Sequence, residues 1–273
     1  MLKTRILTAV VIAAVAFTVV FAVPSLVFAV CIAALLLAAC REFAPLAGLR
    51  GGASLMLVLV QTLLFGLMWY FWVGLSRHAV LVLTMACLSW CLLLMRLHGF
   101  DSKQPLDRRY RLMSVLSALT SLSCAGFSLV WLHQQQHGEF LVLVLLLIIW
   151  AADIGAYFVG RAFGQTKLAP RISPGKTREG LFGGVMLALM VAYLAAEITG
   201  VMPSQAGLFV LLTAITALAA AGGDLLISLH KRSIGVKDSG RLFPGHGGVL
   251  DRFDSLLAGA PFFALGIMLL SDP

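Results

Sequence analysis

The chain has 273 residues, of which 60% are hydrophobic and only 12% are charged, and its formal net charge is +8. A single soluble core cannot hide so much apolar surface, so the composition excludes an ordinary soluble domain and favours a protein embedded in a bilayer. The surplus of Lys and Arg is typical of cytoplasmic loops near anionic headgroups, and we therefore expect no nucleic-acid partner.

About nine apolar segments, each near the length of one helical crossing, follow one another along the chain. The first two form a helical hairpin at Pro24. We interpret the first as a retained span, because its apolar run is longer than that of a signal peptide and has no clear cleavage site. The segments are 5–23, 25–40, 53–73, 79–97, 112–132, 139–160, 181–200, 206–228 and 255–271.

The distribution of positive charge predicts how these segments are oriented. With the N-terminus in the cytoplasm, every Lys and Arg except Arg77 lies in or beside a cytoplasmic loop. The sequence therefore predicts an all-α, polytopic integral membrane protein with a cytoplasmic N-terminus and an external C-terminus.

The chain divides into two functional regions. Residues 1–133 hold the first five spans, carry almost no charge within the membrane and are predicted to be a scaffold. Residues 139–273 hold the other spans, with acids inside or beside them and polar cytoplasmic loops at 161–180 and 229–254. Charged side chains at membrane depth are costly, so we expect the chemistry in this second region. The five cysteines all fall in or beside apolar segments, and we interpret them as small buried hydrophobes.

Polar side chains gather between residues 153 and 180. Asp153, Tyr157 and Gly160 are spaced i, i+4 and i+7, which places them on one face of the sixth helix. The loop that follows offers cations, hydroxyls and backbone N–H groups suited to a phosphate-rich ligand. An ordinary basic loop is the alternative, but the acid inside the span favours a functional site. The candidate binding residues of this loop are Lys167, Ser173 and Lys176.

The tetrapeptide at 174–177, PGKT, is similar to the end of a Walker A motif. That motif requires Gly at position 170, where this chain has Pro, and no strand is predicted before it. We therefore reject a P-loop.

A second polar stretch runs from Ser228 to Asp254. Asp224 lies just before it at the end of the eighth span, and Asp251 and Asp254 share one face at the start of the ninth. Three converging acids repel one another unless a cation neutralises them, and oxygen ligands of this kind predict Mg²⁺. Helix capping is the alternative for Asp251 and Asp254, but it explains one acid and not the pair with Asp224.

Between these acids lie basic side chains suited to phosphate oxygens. Asp238 is predicted to form a salt bridge or to orient a ligand. His246 lies in a glycine-rich, flexible turn, where we favour a structural or phosphate-contacting role over that of a general base. Together the two stretches predict transfer between a phosphorylated soluble ligand and a lipid at the cytoplasmic face. The basic residues are Lys231, Arg232, Lys237 and Arg241.

The second stretch resembles the signature of phosphatidate cytidylyltransferases, also called CDP-diacylglycerol synthases. The resemblance rests on Lys231-Arg232, Lys237-Asp238, the run 243–248 and Asp251-Arg252-Phe253-Asp254. Residues 153–180 are similar to the family's second shared region. His230 departs from the pattern, which has an aliphatic residue before Lys-Arg.

The resemblance implies that CTP and phosphatidic acid react to give CDP-diacylglycerol and pyrophosphate, a step of phospholipid biosynthesis at the cytoplasmic face of a bacterial inner membrane. It implies Mg²⁺ held by Asp224 and Asp251 with Asp254 nearby, and it allows a K⁺ ion beside the Mg²⁺ and a homodimer. Lys237 is expected to join the three acids as a catalytic residue. The expected substrate-binding residues are Asp153, Tyr157, Lys167, Ser173, Lys176, Ser228, Lys231, Arg232, Asp238, His246 and Arg252.

Three alternatives stay open. A CTP-dependent enzyme could act on another lipid phosphate or a polyprenol, which a change of lipid acceptor would reveal. A transporter could use buried acids as an ion path, although the charges here cluster at one face. A scaffold without activity is the third, and the intact acids argue against it.

Overall fold

The computed structural model describes residues 2–100, 106–200, 205–242 and 247–270, and most of them are helical. The twelve elements of the described chain are α1 (Leu2–Phe21), α2 (Ser25–Leu46), α3 (Gly52–Tyr70), α4 (Trp72–Arg77), α5 (Ala79–Met95), α6 (Arg108–His133), α7 (Gly138–Phe163), β1 (Lys167–Ala169), β2 (Ser173–Thr177), α8 (Arg178–Thr199), α9 (Ala206–Ser233) and α10 (Leu250–Leu270).

The all-α, polytopic character predicted from the sequence is confirmed. Each predicted apolar segment coincides with one long helix, and α4 is a short additional helix between the third and fourth segments. Within the described residues, seven helices are long and apolar enough to cross a membrane, and α5 is apolar but shorter. The exact number of crossings and the sides of the two termini stay predictions.

Helices α2 and α9 run five or more residues past the ends predicted for them, and both extensions carry charge. The segment predicted to end at residue 40 continues as α2 through Glu42 to Leu46, because Phe43, Ala44 and Leu46 pack into the core. Helix α9 likewise continues past residue 228 to Ser233. A search for apolar runs ends each segment at its first charged residues. Helices α2 and α9 continue beyond these residues because one face of each helix stays buried.

The predicted cytoplasmic loop at 161–180 contains a small antiparallel hairpin. Strand β1 pairs with β2 through Lys167 opposite Thr177 and Ala169 opposite Ser173. The expectation that no strand precedes PGKT was therefore wrong, because strands this short and polar show no alternating apolar pattern. PGKT itself lies within extended β2, which differs from the curled phosphate loop of a Walker A motif.

Glycines bring together the helices that carry the polar residues. Helix α7 packs along α8, where a Cβ at Gly155 would lie 2.7 Å from the carbonyl oxygen of Gly183. Helix α9 packs against α10, where a Cβ at Gly223 would lie 2.5 Å from the carbonyl oxygen of Asp254. Small residues allow this close approach of helix backbones in membranes.

His230, the departure from the family pattern, is completely buried in α9. Its Nδ1 lies 2.8 Å from the carbonyl oxygen of Leu226, an acceptor only, so Nδ1 carries the proton. The free lone pair on Nε2 then accepts from Nη1 of Arg96 at 3.2 Å. The same Nη1 donates to Oγ of Ser117 at 2.6 Å. His230 therefore joins α9 to α6 through a guanidinium at the end of α5.

Replacement of His230 by the aliphatic residue typical of the family should destabilise this protein. His230→Leu removes an acceptor from Arg96, which we expect to cost about 1–3 kcal/mol and to lower the melting temperature in detergent. Arg96→Met should cost less in the His230→Leu background than alone, because the shared bond is already lost. His78→Leu, at an exposed position, is the matched control. Additive effects of the two substitutions would contradict the proposed bond.

Candidate active site

A cleft of about 450 Å³ lies between α7, β2, α8 and α9. Ser173 and Lys176 line it at the hairpin, and Asp153 and Tyr157 line it from α7; all four were predicted to bind substrate. Small and apolar side chains line the same cleft, and they include Leu181, Val185, Ala217 and Ala220. The cleft therefore combines charged groups with apolar walls.

An ion pair joins the two polar stretches of the sequence. Lys176 in β2 pairs through Nζ with Oδ2 of Asp224 in α9. Oγ of Ser228, one turn further along α9, donates to Oδ1 of the same carboxylate at 3.2 Å. The hairpin is held there because the guanidinium of Arg232, also predicted to bind phosphate, donates through Nε to the carbonyl oxygen of Ile172 at 3.2 Å.

A second ion pair links α9 to α10. Nζ of Lys231 lies 2.8 Å from Oδ1 of Asp251, and both side chains are nearly buried. Oδ2 of Asp251 accepts from the backbone N–H groups of Ser239 at 2.8 Å and Gly248 at 3.0 Å. The bond to Gly248 reaches back from the first turn of α10, as in a capping box. Asp251 therefore has the capping role that the sequence analysis left open, in addition to its pairing with Lys231.

Asp254 lies one turn beyond Asp251 and is buried. It accepts from the backbone N–H of Ser255 at 2.8 Å. It is close enough to interact electrostatically with Asp153 and Asp224, and Lys231 offsets part of this repulsion. The contact of α9 with α10 at Gly223 brings Asp254 near Asp224, whereas Asp251, the third acid predicted to converge with them, is directed to Lys231.

Lysine ammonium groups already compensate much of this negative charge. Lys176 and Lys231 pair with Asp224 and Asp251, so repulsion between the acids does not by itself require a metal ion. Among the residues that the structure describes, no group of three or more His, Cys, Asp or Glu side chains could hold a metal. The donors do fit a hard cation in chemistry, because Asp224, Asp254 and the hydroxyl of Ser228 all present oxygen.

The remaining predicted residues differ in their exposure and in their contacts. The side chain of Arg252 is exposed and close enough to Asp153 to attract it electrostatically. The hydroxyl of Tyr157 accepts from Nη1 of Arg161 at 3.0 Å. His246 lies outside the described residues. The side chains of three others are exposed to solvent, and these are Lys167, Lys237 and Asp238.

Two glutamates that were not predicted as site residues also form hydrogen bonds in this part of the structure. Glu179, in the first turn of α8, accepts from the backbone N–H groups of Gln165 and Thr166 at 3.1 Å each, which orders the loop before β1. Glu42 of α2 accepts from residues 239, 249 and 250. An acid at the predicted cytoplasmic end of an apolar segment was the only sequence signal for Glu42, and the assignment of residues 1–133 to a scaffold obscured it.

Comparison with known proteins assigns the chain to a family. The chain matches the cytidylyltransferase family over residues 3–270. The phosphatidate cytidylyltransferase of Haemophilus influenzae is 35% identical to it over 281 residues, which are 97% of this chain and 98% of the relative. That of Pseudomonas aeruginosa is 37% identical over 267 residues, 97% of this chain and 96% of the relative. That of Bacillus subtilis is 38% identical over 156 residues, 57% of this chain and 58% of the relative. This chain therefore belongs to the cytidylyltransferase family.

Proposed function

We propose that this membrane protein is a phosphatidate cytidylyltransferase, which converts CTP and phosphatidic acid to CDP-diacylglycerol and pyrophosphate. Relatives that span nearly the whole chain bear that name. The observation that carries the proposal is the pair of Lys176 with Asp224, which joins the two polar stretches at a cleft with charged groups and apolar walls. Such a site suits a substrate with a charged head and acyl chains.

The lipid and the nucleotide reach the cleft from different surroundings. The acyl chains of phosphatidic acid lie along its apolar walls, where Leu181, Val185 and Ala217 provide contacts without charge. The phosphate groups lie beside the hairpin, where the ammonium groups of Lys176 and Lys231 exchange a carboxylate partner for phosphate oxygens. Arg252 adds a further positive charge there.

The reaction is a displacement at the α-phosphorus of CTP. An oxygen of the phosphatidate phosphate forms a bond to the α-phosphorus, and the bond from that phosphorus to the oxygen bridging to the β-phosphate breaks to release pyrophosphate. A phosphomonoester is largely ionised at neutral pH, so the attacking oxygen needs no strong general base. The task of the protein is then to orient two anions and to offset their charge.

Mg²⁺ would be held by Asp224, Asp254 and Asp251. A K⁺ ion would lie near Asp254. When bound, Mg²⁺ would screen the phosphates and stabilise the leaving pyrophosphate. Asp251 has its two oxygens engaged by Lys231, Ser239 and Gly248. It would therefore contribute most readily when Lys231 turns towards a phosphate.

We propose that the site faces the cytoplasm of a bacterial inner membrane. The orientation rests on the excess of Lys and Arg in the loops that form the site. Bacterial relatives and the apolar helices support an integral membrane location. The homodimer allowed by the resemblance stays a prediction.

Asp224→Asn should reduce turnover by about a hundredfold or more. The substitution removes the negative charge that orders Lys176, and it also removes a proposed ligand of Mg²⁺. Purified variants would be compared for formation of CDP-diacylglycerol from CTP and phosphatidate in detergent with Mg²⁺. Asp107→Asn is the matched control, since Asp107 caps α6 by accepting from Tyr110 N–H and Asn caps equally well. Full activity of Asp224→Asn would contradict its proposed role.

Removal of divalent metal by a chelator should abolish turnover, and added Mg²⁺ should restore it. Asp251→Asn should raise the Mg²⁺ concentration needed for half-maximal activity, because one oxygen ligand is lost. Turnover that persists in the chelator would rule out the proposed cofactor, and an unchanged Mg²⁺ requirement would remove Asp251 from the ligand set.

The choice of acceptor distinguishes the alternatives in the same assay. We expect phosphatidate to be converted and polyprenyl phosphate or polyprenol to be left unchanged. The reverse result would support a CTP-dependent transferase with another lipid acceptor. Uptake of CTP into liposomes without chemical conversion would support a transporter.

A further inference from the structure

We infer that Glu42, in the N-terminal half of the chain, is a positioning residue for the active site. It lies near the cytoplasmic end of α2, outside both polar stretches. Its carboxylate accepts three hydrogen bonds, one from residue 239 and two from the residues at the start of α10. Oε2 accepts from Oγ of Ser239 at 2.9 Å and from the backbone N–H of Leu250 at 2.9 Å, and Oε1 accepts from the backbone N–H of Val249 at 3.1 Å.

Glu42 and Asp251 hold the same two pieces of backbone, and we call these two side chains the carboxylate clamp. At Ser239, Glu42 accepts from the hydroxyl and Asp251 accepts from the N–H. At the start of α10, Asp251 accepts from Gly248 N–H, while Glu42 accepts from the next two N–H groups. The clamp therefore joins residue 239 to residues 248–250 and fixes the first turn of α10.

Three glycines give the clamp the space that it needs. A Cβ at Gly240 would overlap the carboxylate of Glu42, and a Cβ at Gly248 would overlap both that carboxylate and Oγ of Ser239. A Cβ at Gly247 would lie 2.6 Å from Oδ2 of Asp251, and its φ of +85° also favours glycine. Close approach to two carboxylates thus explains glycine at all three positions.

The clamp affects the reaction through Asp251 and Lys231. N–H groups in the first turn of a helix lack partners within the helix, and a carboxylate there gains further from the helix dipole. Glu42 supplies this partner from another helix, which leaves Oδ1 of Asp251 directed to Lys231. Without Glu42 the first turn of α10 loses its anchor, and Asp251 and Lys231 lose their shared orientation. The inference rests on the proposed function for its kinetic consequence only.

Glu42→Gln is the test, because it keeps the size of the side chain. In either orientation of the amide, its NH₂ group faces a backbone N–H, either that of Val249 or that of Leu250, so one bond becomes a clash of donors. We expect kcat per folded molecule to fall about tenfold to a hundredfold, since small displacements of catalytic groups have effects of this size. KM for phosphatidate should stay unchanged, because the acyl chains contact the cleft and not the clamp.

Glu197→Gln is the matched control, the same chemical change at an exposed position on α8. Ser239→Ala removes one of the three bonds and should lower kcat by a smaller factor. In the Glu42→Gln background, Ser239→Ala should have little further effect. If Glu42→Gln does not fold, a lower kcat in Ser239→Ala supports the inference and an unchanged kcat overturns it.

A second measurement does not depend on turnover. Trypsin should cut after exposed Arg241 faster in Glu42→Gln than in the parent protein, because loss of the clamp releases residue 239 from residues 248–250. Cutting after exposed Arg50 should not change. Fragment masses report the two sites separately. If the parent protein makes no CDP-diacylglycerol, the proposed function fails and the trypsin result alone decides on the clamp. If the parent is active and Glu42→Gln has the parent kcat, the positioning role is overturned whatever the trypsin result.

Discussion

The structure of the candidate active site depends on one constraint: a carboxylate withdrawn from water needs a partner. Removing a charge from water costs several kcal/mol unless hydrogen bonds or an opposite charge replace the lost solvation. Asp224 is paired with Lys176, Asp251 with Lys231 and two backbone N–H groups, and Glu42 with three donors. These pairings act together with the apolar packing to hold the hairpin, α2, α9 and α10 in one place.

The same constraint relates structure to turnover. A lysine that holds a carboxylate in one state is well placed to hold a phosphate in another, since both are oxygen anions. In the proposed reaction, Lys176 and Lys231 change partners as CTP and phosphatidate enter. In that proposal the acids have two roles, because they position the lysines and would offer oxygen ligands to a cation.

The division of the chain into a scaffold and a catalytic region does not describe the contacts within it. Glu42 of α2 bonds to residues 239, 249 and 250 within the second polar stretch, and Arg96 at the end of α5 bonds to His230 next to Lys231. Helices from the first half thus orient residues of the second. The glycines near residue 247, which the sequence analysis interpreted as a flexible turn, make room for carboxylates instead.

Local patterns in the sequence were sufficient for much of this description. Apolar runs located the membrane helices, and the two polar stretches drew attention to Asp153, Asp224 and Asp254, which lie close enough to interact electrostatically. The residues of the second stretch pointed to the family that the comparisons support. These features follow from short-range periodicity and composition, which any segment carries by itself.

Only the tertiary structure determined which polar and charged side chains are partners of one another. Glu42 lies 208 residues from Leu250 in the chain, and no periodic pattern links the two. The partner of His230 and the capping role of Asp251 depend on how α5, α6 and α10 pack against α9. Such pairings arise because folding brings distant polar groups into an apolar medium where each must find a partner, and this selection occurs in space rather than along the sequence.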